Sequence, residues 1–252
     1  MPDMPDAQNA HSDVLRGVPT PQVAGGAPAG PLAGRRVAVL ATDGVEQVEL
    51  TTPMDALRQA GATVELVSLA AGEIQGMNHD DKGDRFPVDK TVADAQAGDY
   101  DALLVPGGVA NPDRLRASEQ AVAFVRQFAE RDKPIASICH GPWVLVEADA
   151  VRGRTLTSWP SLKTDITNAG GEWEDKEVVV DQKLITSRKP DDLPAFCEKM
   201  LGVFQQAVEE RSYDRMVEQT FPASDPLPGP TSTGAMSDQR TSAREEAAAP
   251  PA

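Results

Sequence analysis

The chain has 252 residues, 40% of them hydrophobic, and its 39 acidic side chains outnumber 24 basic ones to give a net charge of −15. A protein that binds duplex nucleic acid needs a basic surface to displace counterions, so this composition argues against direct nucleic-acid binding. No apolar run approaches the roughly 18 residues of a membrane span, and the acidic start lacks the basic and apolar regions of a secretory signal. We therefore expect a cytoplasmic protein with no membrane partner and with reduced cysteines.

Both ends of the chain differ in composition from the middle. Residues 1–34 are rich in Pro, Ala, Gly, Gln and Asp and show no apolar periodicity, and residues 212–252 return to Pro, Ser, Thr, Ala and Glu. Segments of this kind bury too little apolar surface to offset the entropy lost on ordering. The sequence therefore predicts a disordered N-terminal extension at 1–34, one domain at 35–211, and a disordered C-terminal tail at 212–252.

Short apolar runs that end in turn residues predict strands, and apolar residues at helical spacing predict helices. In chain order the predicted elements are a strand at 35–41, a helix that begins near Thr52 and ends at Ala60, a strand at 63–69, a hairpin or excursion at 72–90, a strand at 100–105, an amphipathic helix at 112–131, a strand at 133–138, a helix from 143, a strand at 155–157, a helix at 161–169, a hairpin at 176–187 and a helix at 192–211. The start near Thr52 is chosen because Pro53 is unfavourable inside a helix. Alternating strands and helices predict an α/β fold with a mostly parallel sheet covered on both faces.

Three distinctive stretches follow predicted strands directly. They are residues 43–49, Pro106-Gly107-Gly108 and Cys139-His140. In open parallel sheets the ligand crevice lies beyond the carboxyl ends of the strands, so these stretches are expected to meet there. The sequence therefore predicts one functional site built from the three.

Cys139 lies between a predicted strand and a helix start. Gly141-Pro142 opens the helix with proline at an early position, where its missing N–H is not needed. Unpaired N–H groups and the positive end of a helix dipole stabilise a thiolate and lower the pKa of a cysteine. This pattern predicts a catalytic nucleophile at Cys139, and the alternative is a buried structural cysteine.

His140, one of three histidines in the chain, follows the cysteine directly. Its side chain is a candidate catalytic acid or base, although neighbours at a strand end point to opposite faces unless the turn bends sharply. Its backbone N–H is placed to donate to an oxyanion. The alternative for the imidazole is a packing or capping role.

The other candidate site residues lie in the first two of the three stretches and after the cysteine. Glu49 and Glu46 are predicted near the thiol, where a carboxyl group has a raised pKa and can donate to sulfur; a solvated glutamate is the alternative. Gly108 is predicted to expose an N–H to the oxyanion, unless the glycines only form a tight turn. Substrate contacts are predicted for Glu46, Gly107 and Trp159, with packing as the alternative for the tryptophan.

A metal site is not expected. The segment Asn78-His79-Asp80-Asp81 lacks the spacing of a calcium loop or of a paired-histidine zinc site. No second cluster of histidines or cysteines accompanies it. We therefore predict neither a metal nor another cofactor.

Five short blocks of sequence are spread over most of the predicted domain. They are Glu46-Gln47-Val48-Glu49-Leu50 with Pro53, Val105-Pro106-Gly107-Gly108, Ala136-Ser137-Ile138-Cys139-His140-Gly141-Pro142, Arg152-Gly153-Arg154 and Thr157-Ser158-Trp159-Pro160. In this order they resemble the PfpI family of the class I glutamine amidotransferase-like superfamily. The resemblance covers about Val37 to Phe204.

The resemblance implies a flavodoxin-like three-layer α/β sandwich with a nucleophile at Cys139. It also implies that Glu49 hydrogen-bonds the thiol, that His140 lies beside it, and that the N–H groups of Gly108 and His140 form the oxyanion hole. Family members form dimers that often assemble into hexamers, in which a carboxylate from a neighbouring subunit faces the histidine. Asp113 holds the matching position here, where archaeal members carry glutamate.

Activities ascribed to the family are intracellular peptidase, glyoxalase III, deglycase action on methylglyoxal adducts, and stress protection. We expect a cysteine-dependent stress-protection enzyme that acts on small reactive aldehydes or glycated protein. The alternatives are an intracellular cysteine peptidase and a non-enzymatic redox-sensing or chaperone protein that uses Cys139. An amidotransferase is excluded because its Cys-His-Glu triad needs a histidine well downstream, and no histidine follows His140.

Overall fold

The computed structural model describes residues 30–220. Its strands are β1 (Arg36–Leu40), β2 (Val45–Glu46), β3 (Thr63–Ser68), β4 (Glu73–Asn78), β5 (Asp81–Pro87), β6 (Lys90–Thr91), β7 (Ala102–Val105), β8 (Ile135–Ile138), β9 (Thr155–Leu156), β10 (Glu172–Trp173), β11 (Val178–Asp181) and β12 (Leu184–Ser187). Its α-helices are α1 (Gln47–Gln59), α2 (Ala110–Arg116), α3 (Glu119–Glu130), α4 (Pro142–Glu147), α5 (Lys163–Asn168) and α6 (Leu193–Thr220). Among these helices, none is both long and apolar enough to cross a membrane.

A seven-stranded sheet forms the centre, in the order β11-β12-β8-β7-β1-β3-β6. Its neighbours pair in parallel except β11 and β12, which form the antiparallel hairpin predicted near residue 181. A second sheet of three strands joins β2 in parallel to β4, which forms an antiparallel hairpin with β5. The predicted hairpin within 72–90 is therefore confirmed, and the hairpin is attached to the loop after β1.

Side chains alternate between two apolar layers along each central strand. On β1, Val37 and Val39 belong to the cluster that packs against α1 and α6, whereas Ala38 and Leu40 belong to the cluster that packs against α3, α4 and α5. Strands buried on both faces are expected for a parallel sheet covered by helices. The structure confirms the predicted three-layer α/β sandwich.

Helix α1 begins earlier than the sequence predicted, at Gln47 instead of near Thr52. Pro53 lies inside it, at a cost of about 3 kcal/mol for an interior proline. The early start places Leu50, Met54 and Leu57 on one buried face, and this burial offsets the proline. The start near Thr52 was wrong, and the correction matters because it puts Glu49 on a helix and not in a loop.

The helix predicted at 112–131 is two helices, α2 and α3. Ser118 lies between them with extended backbone, and its hydroxyl accepts a hydrogen bond from the N–H of Ala121 at 3.4 Å. Serine is a favoured N-cap because it satisfies an unpaired N–H at the helix start. The continuous apolar face concealed this break from the sequence pattern.

The described structure extends past both predicted domain boundaries. Leu32 is 1% exposed and packs in the cluster around α1, and its N–H donates to the carbonyl of Ala60 at 2.9 Å. The chain divides into two compact units after Ser212, and the described part of the second, 213–220, is helical. The structure describes turns at 30–34 and the last part of α6 at 212–220, two segments that the sequence assigned to tails. The rest of the predicted tails, 1–29 and 221–252, lies outside the described residues.

Replacing Leu32 with alanine tests the N-terminal boundary. We expect the free energy of unfolding to fall by about 2 to 4 kcal/mol, because the change removes buried methyl groups and leaves a cavity. Urea unfolding of the full chain measures it. Leu201→Ala, at a half-buried position on α6, is the control and should cost less than half as much. Equal midpoints for the Leu32→Ala variant and the unaltered chain would show that the segment before β1 contributes nothing to the core.

Candidate active site

The three stretches that follow strands β1, β7 and β8 converge as predicted. These strands are adjacent in the central sheet, so their carboxyl ends open at one edge. A cleft of about 650 Å³ lies there, and its lining includes Glu46, Glu49, Gly108, Cys139, His140 and Trp159. The sequence therefore predicted the position of the cleft and most of its floor.

Cys139 occupies a sharp turn between β8 and α4. Its φ is +61°, in the left-handed region, which costs a non-glycine residue about 1 to 3 kcal/mol. The turn breaks the alternation of side chains that a strand imposes, so the next side chain folds back toward the first. The Sγ of Cys139 lies 3.2 Å from Nδ1 of His140. The turn therefore has the sharp bend that the side chain of His140 needs in order to reach Cys139.

Glu49 is fully buried beneath the cysteine. Its Oε2 accepts a hydrogen bond from the N–H of Gly107 at 3.0 Å, and Cys139 and the N–H of Gly108 also act on the carboxyl group. Burial is the main cause that raises the pKa of Glu49 to about 8; hydrogen bonding to Cys139 opposes it, and the nearby charge of Glu46 adds to it. The raised pKa that the sequence predicted is confirmed. At neutral pH this carboxyl group mostly carries a proton.

The pKa of Cys139 departs from the prediction. Burial is the largest cause and raises it, followed by the charge and hydrogen bond of Glu49, whereas the N–H groups of Gly108 and His140 lower it. The sequence predicted that the helix start lowers the pKa, and that was wrong because it left out burial and the effect of the nearby Glu49 on the thiol. When Glu49 holds its proton the repulsion between the two groups vanishes. The two groups therefore titrate as a coupled pair, and burial disfavours a negative charge on either of them.

The backbone donors predicted for an oxyanion lie beside the thiol. Hydrogen bonds from the N–H groups of Gly108 and His140 act on Cys139. Gly108 has a φ of +77°, and a Cβ there would run into the carbonyl oxygen of Gly44 and lie 2.7 Å from the nitrogen of Glu46. Glycine lets the loop after β7 pass this close to the loop after β1. Their role as an oxyanion hole stays a prediction that this geometry allows.

Burial lowers the pKa of His140, so its imidazole is neutral at neutral pH. Either tautomer can then serve the sulfur: Nδ1 accepts a proton from the thiol or donates a hydrogen bond to the thiolate. With a protonated carboxyl on one side and two N–H donors above it, the sulfur lies among groups able to accept and release protons. This arrangement suits addition of a thiolate to a carbonyl group.

Residues 35–202 match the DJ-1/PfpI family. The chain belongs to the DJ-1/PfpI family. It is 41% identical over 172 residues to the protein named "Putative cysteine protease YraA" of Bacillus subtilis, a match that covers 68% of this chain and 99% of that protein. It is 44% identical over 170 residues to "Protein/nucleic acid deglycase 2" of Escherichia coli K12, covering 66% and 96%.

A solved structure supports the same assignment. The crystal structure of Drosophila melanogaster DJ-1beta superposes with a TM-score of 0.62 at 28% sequence identity, covering 72% of this chain and 97% of that one. The DJ-1/PfpI fold of this chain is therefore supported by both sequence and structure.

Two of the predicted site residues do not line the cleft of their own chain. Gly107 was predicted as a substrate contact, but it is buried below the cleft, where its N–H holds Glu49. Asp113 is exposed on α2 and is not among the residues that line the cleft of its own chain. Its proposed role across a subunit contact therefore stays a prediction.

Asn111 is a supporting residue that sequence reasoning missed. It is fully buried; its side-chain amide donates to the carbonyls of Pro106 at 2.9 Å and Gly107 at 3.0 Å, and its Oδ1 accepts from the N–H of Thr42 at 2.7 Å. These bonds tie the loop after β7 to the loop after β1. An asparagine close behind a Gly-Gly turn was the available signal.

The outer rim of the cleft was also missed, because it comes from the hairpin β4–β5. Gln47 at the start of α1 holds this hairpin through both groups of its amide, which contact Asp84 at 2.6 and 2.8 Å. The backbone N–H of His79 donates to the carboxylate of Glu46 at 3.2 Å, and its ring lies 3.5 Å away. The predicted substrate contact Glu46 is thus a rim residue. The hairpin supplies further lining residues, among them Met77, Asp80, Lys82 and Arg85.

The described part of the chain contains no cluster of three or more His, Cys, Asp or Glu residues arranged to hold a metal ion.

Proposed function

We propose that the protein is a cysteine-dependent enzyme that converts reactive α-oxoaldehydes, or their adducts on protein amines and thiols, by glyoxalase III or deglycase chemistry. The observation that carries the proposal is the fully buried Glu49 beside the Cys139 thiol, because burial raises the pKa of this carboxyl group to about 8 and so favours its protonated form at neutral pH. A carboxyl group in this state donates a proton to a carbonyl oxygen as sulfur attacks the carbon. The Escherichia coli relative, 44% identical, is named a deglycase.

The first step forms a hemithioacetal. Nδ1 of His140 takes the thiol proton of Cys139 as sulfur adds to the aldehyde carbon of methylglyoxal. The π electrons move to oxygen, and that oxygen takes a proton from Glu49. The N–H groups of Gly108 and His140 stabilise the charge that develops on oxygen. When the substrate is an adduct of an amine, the carbon–nitrogen bond breaks and the amine leaves with a proton.

The second step is an internal proton transfer that needs no external oxidant. The proton on the former aldehyde carbon moves through an enediol to the neighbouring carbon, so that the aldehyde carbon is oxidised and the ketone carbon is reduced. Glu49, now ionised, is the base in reach of the sulfur adduct, and protonated His140 returns its proton to the neighbouring carbon. The product is a lactoyl thioester on Cys139. Water hydrolyses it to lactate and restores the thiol.

Lactate formation from methylglyoxal tests the proposal. The buffer must contain no amine, because methylglyoxal adds reversibly to amines without catalysis. The unaltered protein should give saturable lactate formation, and Cys139→Ser should give only the buffer rate. Cys197→Ser is the matched control, because this second cysteine is buried on α6 and does not line the cleft. Lactate formation that survives in Cys139→Ser would overturn the proposal.

A peptidase is the second candidate, favoured by the name of the Bacillus relative, which is 41% identical. The same sulfur and the same backbone donors would act on a peptide carbonyl. Hydrolysis of a quenched fluorescent peptide library by the unaltered protein, lost in Cys139→Ser, would favour it. If a preparation that forms lactate does not cleave the peptides, the peptidase is excluded and the enzyme acting on reactive carbonyls remains.

A further inference from the structure

One short turn after β7 donates a backbone N–H to each of the two buried acidic groups of the site. The N–H of Gly107 donates to Oε2 of Glu49 at 3.0 Å, and the N–H of Gly108 acts on the sulfur of Cys139. Glycine has the least restricted backbone of all residues, so sterics alone do not fix the peptide planes of a Gly-Gly pair. Contacts with the rest of the chain must set the direction of these two donors.

Each of these N–H groups belongs to a peptide unit whose carbonyl points the other way. A trans peptide is planar, so its C=O and its N–H point in opposite directions. Both peptide bonds of the turn are trans. The carbonyl of Pro106 is therefore the opposite end of the unit that carries the Gly107 N–H, and the carbonyl of Gly107 is the opposite end of the next unit. Whatever holds the two carbonyls also orients the two donors.

A single side chain holds both carbonyls. Nδ2 of Asn111, in the first turn of α2, donates to the carbonyl oxygen of Pro106 at 2.9 Å and to that of Gly107 at 3.0 Å. Its Oδ1 accepts from the N–H of Thr42 at 2.7 Å, so the loop after β1 fixes the amide in turn. The orientation of the amide is unambiguous, because a backbone N–H only donates and a carbonyl only accepts. The N–H of Glu46 adds a longer contact of 3.4 Å to the carbonyl of Gly107.

The bonds of Asn111 lie in the interior of its own chain. The residue is fully buried and is not among the residues that line the cleft. Hydrogen bonds are stronger in the low dielectric of the interior than in water, and a carbonyl left unpaired there is costly. The amide therefore acts on the site only through the backbone of the turn, and it does so whatever covers the cleft.

We propose that Asn111 is a positioning residue that orients both N–H donors of the Pro106-Gly107-Gly108 turn. Through the two carbonyls it directs one N–H to the carboxyl group of Glu49 and the other to the sulfur of Cys139. The inference deepens the proposed function and rests on these two side chains being the reacting groups. It holds for either of the two reactions proposed above.

The rate at which iodoacetamide alkylates Cys139 tests the inference without a substrate. Asn111→Leu removes the amide, adds no charge and keeps a similar volume. The N–H of Gly108 lowers the pKa of Cys139, so a donor that loses its direction should raise that pKa. At pH 6.5, where Glu49 mostly holds its proton with or without the change, alkylation should be roughly tenfold slower, the effect of one hydrogen bond to a charged group. The other titratable groups near the sulfur, Glu46 and His140, stay the same.

Tyr100→Phe is the matched control for lost stability. The hydroxyl of Tyr100 donates to Glu65 at 2.6 Å, and phenylalanine keeps the buried ring while removing that bond. Tyr100 precedes β7, whereas the cleft lies beyond the carboxyl end of this strand. The control should lower the urea midpoint and leave the alkylation rate unchanged. Asn111→Ser gives the same readouts should the leucine variant fail to fold, because its hydroxyl has one hydrogen and cannot hold both carbonyls.

Turnover separates orientation of the donors from shaping of the cleft. Asn111→Leu should lower kcat for lactate formation about 100-fold, the usual loss of one oxyanion donor, with KM within about twofold. An alkylation rate within twofold of the unaltered rate, beside a lower urea midpoint, would overturn the inference, because the amide would then only stabilise the fold. A raised KM with unchanged kcat would also contradict it. If the unaltered protein forms no lactate, the proposed function fails, and the alkylation rate still decides this inference.

Discussion

Glu49→Gln is expected to lower kcat/KM for Cys139-dependent lactate formation by about 100- to 1,000-fold, the usual loss on removing a general acid. Glutamine has the same shape, and its carbonyl oxygen still accepts the hydrogen bond from the N–H of Gly107. It has no proton to give to the carbonyl oxygen and cannot accept one from the hemithioacetal. The loss therefore measures proton transfer and not packing.

The same variant should also change how stability depends on pH. The pKa of Glu49 is raised from its ordinary value of 4.5 to about 8 in the folded protein. Below pH 4.5 the carboxyl group is neutral in both the folded and the unfolded state. Between pH 4.5 and 8 it ionises in the unfolded chain but not in the folded one, which lowers the free energy of unfolding. Above pH 8 it is ionised in both states, and the free energy of unfolding falls no further. Glutamine does not titrate. The unaltered protein should therefore lose on the order of several kcal/mol relative to Glu49→Gln between about pH 4.5 and 8.

Urea unfolding at pH 5, 6.5 and 8 measures this difference. Glu130→Gln is the control, because it makes the same chemical change at an exposed position at the end of α3 and outside the cleft. It should leave turnover unchanged and keep the pH dependence of the unaltered protein. Parallel stability curves for the unaltered chain and Glu49→Gln would mean that Glu49 is ionised in the folded state, contrary to the proposed general acid.

Gly107→Ala is expected to lower lactate turnover at least about 100-fold, because a displacement of about 1 Å in an active site costs that much. A Cβ at this position would lie 2.5 Å from Oε2 of Glu49, 2.6 Å from Cβ of Cys139 and 2.8 Å from the carbonyl oxygen of Ile138. The last of these is backbone of a central strand, so the two catalytic side chains must move instead. The free energy of unfolding should fall by about 1 to 3 kcal/mol through overpacking.

Gly202→Ala adds the same methyl group where it meets nothing. No atom lies within 4 Å of a Cβ at this exposed position in α6. Alanine inside a helix is preferred over glycine by about 1 kcal/mol, so this variant should melt roughly 2 to 4 °C higher with full activity. The same glycine-to-alanine change is thus expected to lower stability at position 107 and to raise it at position 202. Unaltered turnover in Gly107→Ala would show that the glycine does not position Glu49 and Cys139.

The sequence predicted the sheet and the floor of the site because both depend on local patterns. Short apolar runs marked the strands, and the residues just after them meet because parallel neighbours end at one edge. That rule alone brought Glu49, Gly108 and Cys139 together. Its success depends on neighbouring strands of the same direction, which the alternation of strands and helices already indicated.

The parts that could not be predicted depend on contacts between distant segments. The rim hairpin is held by hydrogen bonds between Gln47 and Asp84, which are far apart in the chain. No local sequence pattern predicts hydrogen bonds between residues this distant. The pKa of Cys139 depends on burial and on Glu49, neither of which is visible at a strand-to-helix turn. The predicted start of α1 was too late because the local pattern treats a proline as unfavourable inside a helix. In the folded chain, burial of a whole helix face contributes more free energy than the proline costs.

The anchoring of Leu32 has a practical consequence for immobilising the enzyme. The described chain starts at Gly30, next to Ala60 at the C-terminal end of α1, while Glu49 near the other end of that helix lies under the cleft. Eleven helical residues separate these two points, a rise of roughly 16 Å. A tether joined ahead of Gly30 therefore leaves the domain at the far end of the helix from the cleft. Beads or sensor surfaces attached through it should leave the cleft accessible to large substrates.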